Sequence, residues 1–555
     1  MTNPAVYLET FGCQMNELDS QLVHGALRRL GYAFTQDPDA ADVVLYNTCS
    51  VREQAEQKVW SRLGELKHAK HDRPHLVVGV LGCLAERDGL DLIRRMPVVD
   101  LLCGPGELDK LPTLLDNALR TRIALAQAGE HQRSARQAAL QGSTSRRSAT
   151  LAAAQDDLEL LDLSRAISPT DHNGSAYVRI TRGCNKFCTY CVVPFTRGAE
   201  IHRPPEHIID ECKRLADAGV LEVTLLGQTV NHYRFEHDAA VAVGGVVQPQ
   251  KGRSYAGGHR RDPFQGHRVT TFADLLFRIH EEVPALQRIR FVTSYPRDFG
   301  DDILDVMRQC PRLCRYLHVP VQSGSDRILK AMNRGYTVGE YLEFLGRARA
   351  ALHQPDLGRP LMISADVIVG FPGETEDDFN ATAALLENAR FKSCFIFKYS
   401  PRPGTVAFDR LPDDVSEADK RRRNNHLLAI QTRISDDISR ELIGETFEVF
   451  VEGVSRKTLK RQGLSHGQIR KTGGAVAITV GGRSLDPHAE AACATAPADE
   501  GPVQLSGRTE GDNIVFFNAP DDPAPWIGRI VPVRITQADR LSLHGELAPT
   551  DLTRG

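Results

Sequence analysis

Residues 177–198 read YVRITRGCNKFCTYCVVPFTRG, a short apolar run followed by three closely spaced cysteines. The run YVRI predicts a strand, and Cys184, Cys188 and Cys191 follow it in the pattern C-x3-C-x2-C. Thiolates on one tight loop are soft ligands that suit an iron-sulfur cluster. Because a cubane cluster has four irons, three cysteines leave one iron open to a small molecule. The stretch therefore predicts a 4Fe-4S site just after a strand.

Zinc is the alternative occupant of such a loop. A structural zinc site takes four closed protein ligands, and neither a histidine nor a fourth cysteine lies nearby in the sequence. Phe187, Tyr190 and Phe195 can shield a cluster from water, while Lys186 and Arg197 can offset its negative charge. These neighbours favour an iron-sulfur cluster.

Downstream of the loop, strand-like runs alternate with amphipathic stretches. The runs are YVRI, VTLLG, IRFVTS, YLHVPV, ISADVIVG and CFIFKYS. Six repeated strand and helix units predict a parallel barrel or partial barrel. The stretch 236–268, rich in glycine and basic residues, interrupts this rhythm and is interpreted as a surface insertion.

Upstream, three apolar runs each precede a cysteine, at Cys13, Cys49 and Cys83. Because the ends of neighbouring parallel strands meet at one sheet edge, these cysteines are expected to converge there. A second cluster is the functional interpretation, and three buried thiols are the alternative. Small and polar neighbours favour the cluster. No metal is assigned to the other cysteines, Cys103, Cys212, Cys310, Cys314, Cys394 and Cys493.

Two further regions differ in composition from the rest. Residues 124–169, including HQRSARQAALQGSTSRRS, lack an aromatic anchor and predict a linker. Beyond residue 443, the runs FEVFVEGVS, NIVFF, GRIVPVRIT and LSLHGEL predict a small β-barrel. Residues 464–503, rich in Gly and Ala, are interpreted as an insertion in it.

Length and composition limit the class of protein. A chain of 555 residues exceeds one typical core, and 41% apolar with 25% charged residues is ordinary for a soluble globular protein. A net charge of -3 offers no overall attraction to nucleic acid, so any RNA site must be local. No long apolar run or signal peptide is evident, which predicts a cytoplasmic protein without membrane association. In a reducing cytosol, twelve cysteines are expected to serve as ligands or core thiols.

Two weaker motifs have both functional and structural interpretations. In DVIVGFPGET, Gly370 and Gly373 follow an apolar strand, where a bare backbone admits a cofactor or forms an ordinary turn. In the last region, SRKTLKRQG and SGRTEGDNIVFF supply Arg456, Lys457 and Arg508. These cations suit RNA phosphates, and a solvated charged face is the alternative.

The remaining motifs carry a family resemblance through nearly the whole chain, apart from 124–169 and the two insertions. LLGQTVNHY, TSYPRDF, HVPVQSGSDRILKAMNRGYT, DVIVGFPGET and FKYSPRPGT, with the cysteine loops, resemble the radical S-adenosylmethionine (SAM) methylthiotransferase family. NTCSVRE and GCNKFCTYCVVPFTRG are most similar to the branch acting on N(6)-dimethylallyladenosine in tRNA. Thr229 in GQTVN departs from the family's usual Asn, in a loop that borders the cofactor pocket.

The resemblance implies an α/β multidomain architecture. An N-terminal α/β methylthiotransferase domain is expected at 3–123, and the linker at 124–169 follows it. A partial (β/α)6 radical SAM barrel is expected at 170–440, and a TRAM domain, a small β-barrel, at 443–549.

The resemblance also implies the chemistry. One 4Fe-4S cluster at Cys13, Cys49 and Cys83 would supply sulfur, and a second at the C-x3-C-x2-C loop would bind S-adenosyl-L-methionine. A 5′-deoxyadenosyl radical would abstract hydrogen from carbon 2 of the adenine beside the anticodon. Gly227 and Gln228 would contact the cofactor.

Expected partners are the tRNA anticodon stem-loop and an electron donor of flavodoxin or ferredoxin type, with the chain acting as a monomer. The alternatives are sister enzymes that act on threonylcarbamoyl adenosine in tRNA or on a ribosomal protein aspartate. NTCSVRE argues against both. A second alternative is a catalytically dead RNA-binding or electron-transfer protein that keeps the barrels and one cluster, and the presence of both complete cysteine triads argues against it.

Overall fold

The computed structural model describes residues 4–50, 53–127, 136–141, 156–165, 167, 173–252, 268–461, 479–480, 483–484, 502–519 and 522–548. These residues form an N-terminal sheet covered by helices, a central set of parallel strands and a closed C-terminal barrel.

The N-terminal unit is a parallel sheet with the strand order β2-β1-β3-β4-β5-β6. Its strands are β1 (Ala5–Phe11), β2 (Ala33–Phe34), β3 (Val43–Thr48), β4 (Val77–Gly82), β5 (Leu101–Cys103) and β6 (Gln137–Ala139). Its helices are α1 (Gln14–Arg29), α2 (Glu53–Asp72), α3 (Cys83–Asp88), α4 (Leu90–Arg95) and α5 (Leu111–Gln127). β3 and β4 are buried along their whole length, and a separate apolar core lies on each face of the sheet. The continuous apolar runs of the sequence therefore form central strands covered on both sides.

The described parts of 124–169 are more ordered than their composition predicts. α5 extends to Gln127, β6 adds a sixth parallel strand, and α6 (Asp157–Leu163) packs into the core. In α6, Glu159 and Asp162 are buried against Arg203 and Arg179 of the next unit. Because these ion-pair partners lie outside the 124–169 stretch, its composition alone could not predict that α6 is ordered.

The central unit contains two three-stranded parallel sheets, with the orders β16-β10-β7 and β17-β18-β19. A parallel bridge between Ile289 and Leu313 connects them into a partial six-stranded barrel. The barrel strands are β7 (Ser175–Arg179), β10 (Glu222–Leu226), β16 (Arg288–Phe291), β17 (Tyr316–His318), β18 (Met362–Val369) and β19 (Ser393–Lys398). These are the six runs identified in the sequence, and the expected fold class is confirmed.

The central unit also contains α-helices between and after its strands. They are α7 (Val193–Thr196), α8 (Pro205–Asp217), α9 (Phe272–Glu282), α10 (Asp301–Gln309), α11 (Asp326–Ala331), α12 (Val338–Leu352), α13 (Glu376–Ala389), α14 (Val406–Arg410) and α15 (Glu417–Glu441). Thr271, Thr337 and Thr375 each begin a helix with a reciprocal capping box, which satisfies backbone donors of the first turn.

Short strands occupy the region around the insertion at 236–268. They are β8 (Thr181–Arg182), β9 (Ile201–His202), β11 (Arg234–Glu236), β12 (Ala242–Val243), β13 (Val246–Val247), β14 (Gln250–Lys251) and β15 (Val269–Thr271). β14 pairs with β9, which pairs with β8, so this part of the insertion packs beside the second cysteine loop. Residues 253–267 lie outside the described residues.

The C-terminal unit is a closed barrel with the strand order β20-β23-β24-β26-β25. Its elements are β20 (Thr446–Val454), α16 (Arg456–Arg461), β21 (Thr479–Val480), β22 (Arg483–Ser484), β23 (Gln504–Thr509), β24 (Ile514–Asn518), β25 (Ile530–Asp539) and β26 (Ser542–Leu547). Most of the predicted insertion at 464–503 lies outside the described residues. Within the described part of the chain, no helix combines the length and apolar character needed to cross a bilayer.

Candidate iron-sulfur and cofactor site

The strands β1, β3 and β4 end level with one another. Phe11 pairs with Thr48, and Thr48 pairs with Gly82. Cys13, Cys49 and Cys83 follow these strand ends within one or two residues, so all three lie at the same edge of the sheet. The structure thus brings together the first predicted triad.

Two glycines allow the three loops of the first triad to approach closely. A Cβ on Gly12 would lie 2.6 Å from the Cβ of Cys49, and one on Gly82 would lie 2.4 Å from Asn47 Oδ1. Both glycines have positive φ values of 144° and 87°. Buried Asn47 donates to the Asn16 carbonyl at 2.9 Å, which connects the first two loops. Any side chain at either glycine would therefore force the cysteine loops apart.

The second triad lies on the loop after β8, as the sequence predicts. Cys184 and Cys188 are buried, and Cys191 is half-buried. The Cys184 amide donates to the Gly198 carbonyl at 3.2 Å, and the Cys191 amide donates to the Cys188 carbonyl at 3.0 Å. These backbone bonds fold the loop so that its three thiols are held together.

Burial makes the thiols of Cys184 and Cys191 poor acids. It raises the pKa of Cys184 well above its ordinary value, with a contribution from the Glu200 carboxylate, and raises the pKa of Cys191 to about 12. A coordinated metal would supply the missing positive charge and keep the thiolates deprotonated. All six cysteines of the two triads are free of disulfides. Three thiols at the edge of the N-terminal sheet and three on one loop therefore fit two iron-sulfur clusters, each with one iron lacking a protein ligand.

Arg334 was not anticipated from the sequence, and it lies against the second triad. Its Nη1 is 3.4 Å from Cys188 Sγ, and its guanidinium lies 4.6 Å from the ring centre of Tyr295 and 5.3 Å from that of Tyr336. Lys186 Nζ lies 4.7 Å from the centre of the same Tyr295 ring. A cation that donates to a ligating sulfur stabilises the more negative, reduced cluster.

We therefore expect Arg334→Gln to lower the midpoint potential of the second cluster by the order of tens of millivolts. Arg334→Lys keeps the charge and should retain most of the wild-type value. Redox titration followed by electron paramagnetic resonance measures both, with iron content as the check on cluster loading. An unchanged potential in a fully loaded Arg334→Gln protein would contradict this role.

The two triads face each other across a domain boundary. α3, which begins at Cys83, packs against α7, which follows Cys191. Burial raises the pKa of Cys83, and the Arg197 guanidinium opposes that rise. Arg197 in turn donates to Asp19 on α1 at 2.8 Å. One cation thus lies between the second cysteine loop and the helix that starts beside Cys13.

Asp19 is the buried carboxylate that joins the two units. It accepts from Arg197 at 2.8 Å and from Arg179 at 3.1 Å, and all three side chains are at most 5% exposed. Removing one partner of a buried ion pair leaves an uncompensated charge. We expect Asp19→Ala to cost about 3–5 kcal/mol of unfolding free energy, measured by chemical denaturation.

Asp116→Ala is the matched control because Asp116 pairs with Arg120 on an exposed helix face. Its cost should be at most about 0.5 kcal/mol. Equal effects of the two substitutions would show that Asp19 does not hold the units together.

The four glycine and glutamine candidates for cofactor contact have different settings. Gly227 follows β10, and a Cβ there would lie 2.2 Å from Thr181 Oγ1, while Gln228 is half-buried. Gly370 has a φ of 72°, and a Cβ added to it would lie 2.3 Å from Lys420 Cγ. The Gly373 amide donates to Asp414 at 2.7 Å. Among the described residues Gly370 and Gly373 contact protein groups, so their cofactor role stays a prediction.

The three RNA candidates also differ. Lys457 is exposed and Arg456 is half-buried, both at the start of α16. Arg508 instead donates to Glu452 at 2.9 Å and to Asp512 at 3.0 Å, with only 15% of its side chain exposed. Its carbonyl accepts from Arg288 of the central unit at 2.8 Å. Arg508 therefore supports the junction of the two units in the described structure, and its RNA role stays a prediction.

Three family models match successive parts of the chain. A model described as uncharacterized protein family UPF0004 matches residues 5–104, the Radical SAM superfamily model matches 178–386, and the TRAM domain model matches 499–548. The sequence had predicted this order of three domains. A 4Fe-4S cluster and S-adenosyl-L-methionine are the cofactors of the Radical SAM superfamily.

Curated relatives match almost the whole chain. A tRNA-2-methylthio-N(6)-dimethylallyladenosine synthase of Rhodopirellula baltica is 44% identical over 99% of this chain and 96% of its own length. The enzyme of that name from Yersinia enterocolitica is 37% identical over 98% and 93%. A solved structure of the radical S-adenosylmethionine methyltransferase TsrM from Kitasatospora setae is 14% identical, with a TM-score of 0.46 over 73% of this chain and 74% of that one. The full-length similarity and the three matched domains show that the chain belongs to the radical SAM methylthiotransferase family, among the tRNA-2-methylthio-N(6)-dimethylallyladenosine synthases.

Proposed function

We propose that this chain adds a methylthio group to carbon 2 of N(6)-dimethylallyladenosine next to the anticodon of tRNA. The observation that carries the proposal is the pair of cysteine triads facing each other between α3 and α7. One triad would hold the sulfur-supplying 4Fe-4S cluster, and the other would hold the cluster that binds S-adenosyl-L-methionine. The names of the full-length relatives support the choice of nucleoside.

Bound S-adenosyl-L-methionine supplies the methyl group and the radical needed to replace a carbon-hydrogen bond. The chain's own residues position and shield that chemistry. Asp19, Arg179 and Arg197 hold the first triad against the second, and Arg334 places a buried cation beside Cys188. Excluding water around such a site prevents side reactions of reactive species.

The substrate position suits this arrangement. An adenosine in a single-stranded loop reaches a recessed site without the cost of opening a duplex. The C-terminal barrel would contact the RNA, with Arg456 and Lys457 available to phosphates on α16. An electron donor of flavodoxin or ferredoxin type would reduce the second cluster, and the chain would act as a monomer in the cytoplasm.

The test is an anaerobic reaction of the reconstituted protein with three substrates. They are an anticodon stem-loop carrying N(6)-dimethylallyladenosine, one carrying threonylcarbamoyl adenosine, and the ribosomal protein that the sister enzyme modifies. Mass spectrometry should find the methylthio product in the first alone. Product on either other substrate, with none on the first, would reject the proposed specificity and leave the enzyme class intact.

A further inference from the structure

A histidine and carboxylate cluster lies beside the second cysteine loop and is separate from both triads. Glu200, His202 and His232 each offer one ligand atom, and these atoms all lie within 4.8 Å of one another. Glu200 directly precedes β9 and His202 ends it, and β9 pairs with the strand leading into the cysteine loop. His232 lies in the turn after β10. Two segments of the chain thus converge.

Burial argues against an ordinary surface cluster. The Glu200 side chain is fully buried, and His202 is 3% exposed. Nδ1 of His202 is buried and finds no hydrogen-bond partner among the described residues. His232 places Nδ1 2.6 Å from Glu200 Oε2 and is 24% exposed, which leaves a route from solvent. A buried carboxylate and an unsatisfied buried imidazole are both costly unless something binds them.

The surroundings resemble the supporting shell of a metal site. The Thr229 hydroxyl donates to Glu200 Oε1 at 2.9 Å, which orients the carboxylate. Thr229 and His232 thus contact the two oxygens of one buried carboxylate.

The insertion closes the other side of the cluster. The Gly252 amide donates to the Glu200 carbonyl at 2.7 Å, and Asn185 of the cysteine loop donates to the Gly252 carbonyl at 3.0 Å. A Cβ on Gly252 would lie 2.8 Å from His202 Nε2. The backbone therefore approaches the imidazole more closely than any side-chain-bearing residue would permit.

We propose that Glu200, His202 and His232 bind one divalent transition metal ion, with Zn²⁺ as the probe, in addition to the iron-sulfur clusters. Two imidazoles and one carboxylate match the ligand set of zinc sites that keep an open coordination position. The bound ion would fasten the β9 segment, which pairs with the strand leading into the second cysteine loop, to the turn after β10. This proposal does not depend on which nucleoside the enzyme modifies.

The test measures metal, not activity. Anaerobically reconstituted protein is incubated with Zn²⁺ and desalted, and zinc and iron per chain are then determined together. We expect about one zinc in the wild type, and its loss in His232→Gln and in His202→Ala with iron unchanged. Thr229→Val should weaken zinc binding by about 10- to 100-fold. His280→Ala, which alters a buried histidine on α9, is the control and should keep the zinc.

X-ray absorption of the bound zinc separates this site from the cysteine triads. Nitrogen and oxygen ligands at about 2.0–2.1 Å are expected, whereas zinc in a cysteine loop would show sulfur at about 2.3 Å. Retention of zinc in His232→Gln, or a sulfur shell in the wild type, would overturn the proposal. If His202→Ala does not fold, the zinc content of His232→Gln decides, because the His232 side chain is partly exposed and its replacement is less disruptive.

Discussion

Cys184→Ala is expected to abolish reductive cleavage of S-adenosyl-L-methionine. The loop after β8 presents three thiols, and the removal of one leaves too few ligands to hold a cubane with a single open iron. The rate of 5′-deoxyadenosine formation should fall by at least about 1000-fold, equal to about 4 kcal/mol of barrier. Liquid chromatography of anaerobic reactions with dithionite measures it, and no methylthio product should form.

Cys212→Ala is the matched control because Cys212 is an equally buried thiol on α8 of the same unit. It should keep both the iron content and the rate of cleavage. Cleavage at the wild-type rate in Cys184→Ala would show that this loop does not hold the cluster that binds S-adenosyl-L-methionine.

Cys13→Ala is expected to separate the two halves of the chemistry. This cysteine belongs to the triad at the edge of the N-terminal sheet, while the second triad lies across the domain boundary. Cleavage of S-adenosyl-L-methionine should therefore persist, and the methylthio product should fall by at least about 100-fold, or about 2.7 kcal/mol of barrier. Mass spectrometry of the digested RNA measures the product, and deoxyadenosine is quantified in the same reaction.

Cys103→Ala provides the comparison for this variant. Cys103 is fully buried at the end of β5 in the same sheet, and its thiol donates to the Glu107 carbonyl at 3.1 Å. It should retain product formation. A Cys13→Ala enzyme that still forms the product would refute the sulfur-supplying role of the first triad.

The parts of this molecule that follow local sequence rules were predictable. Short apolar runs identified all six barrel strands and the three strands that precede Cys13, Cys49 and Cys83, because such runs between turn residues are typical of buried parallel strands. Parallel strands end at a common sheet edge, so convergence of the first triad followed from that rule. The six cluster ligands remain a prediction until metal is measured.

Other features depend on pairs that only the folded chain brings together. Asp19 and Arg197 are separated by 178 residues in sequence, and Arg334 reaches Cys188 over 146 residues. Charged residues in α6 appeared to belong to a linker because their cationic partners lie on later strands and loops. Glu200 and His232 are 32 residues apart in sequence and likewise meet only in the folded chain.

Counting iron and sulfide per chain decides whether the two triads hold two separate 4Fe-4S clusters. Anaerobically reconstituted wild type should contain about eight irons and eight sulfides per chain. The triple alanine variants of either triad, Cys13/Cys49/Cys83 and Cys184/Cys188/Cys191, should each retain about four of both. Only four irons in the wild type, together with the same iron content in both triple variants, would contradict the presence of two separate clusters.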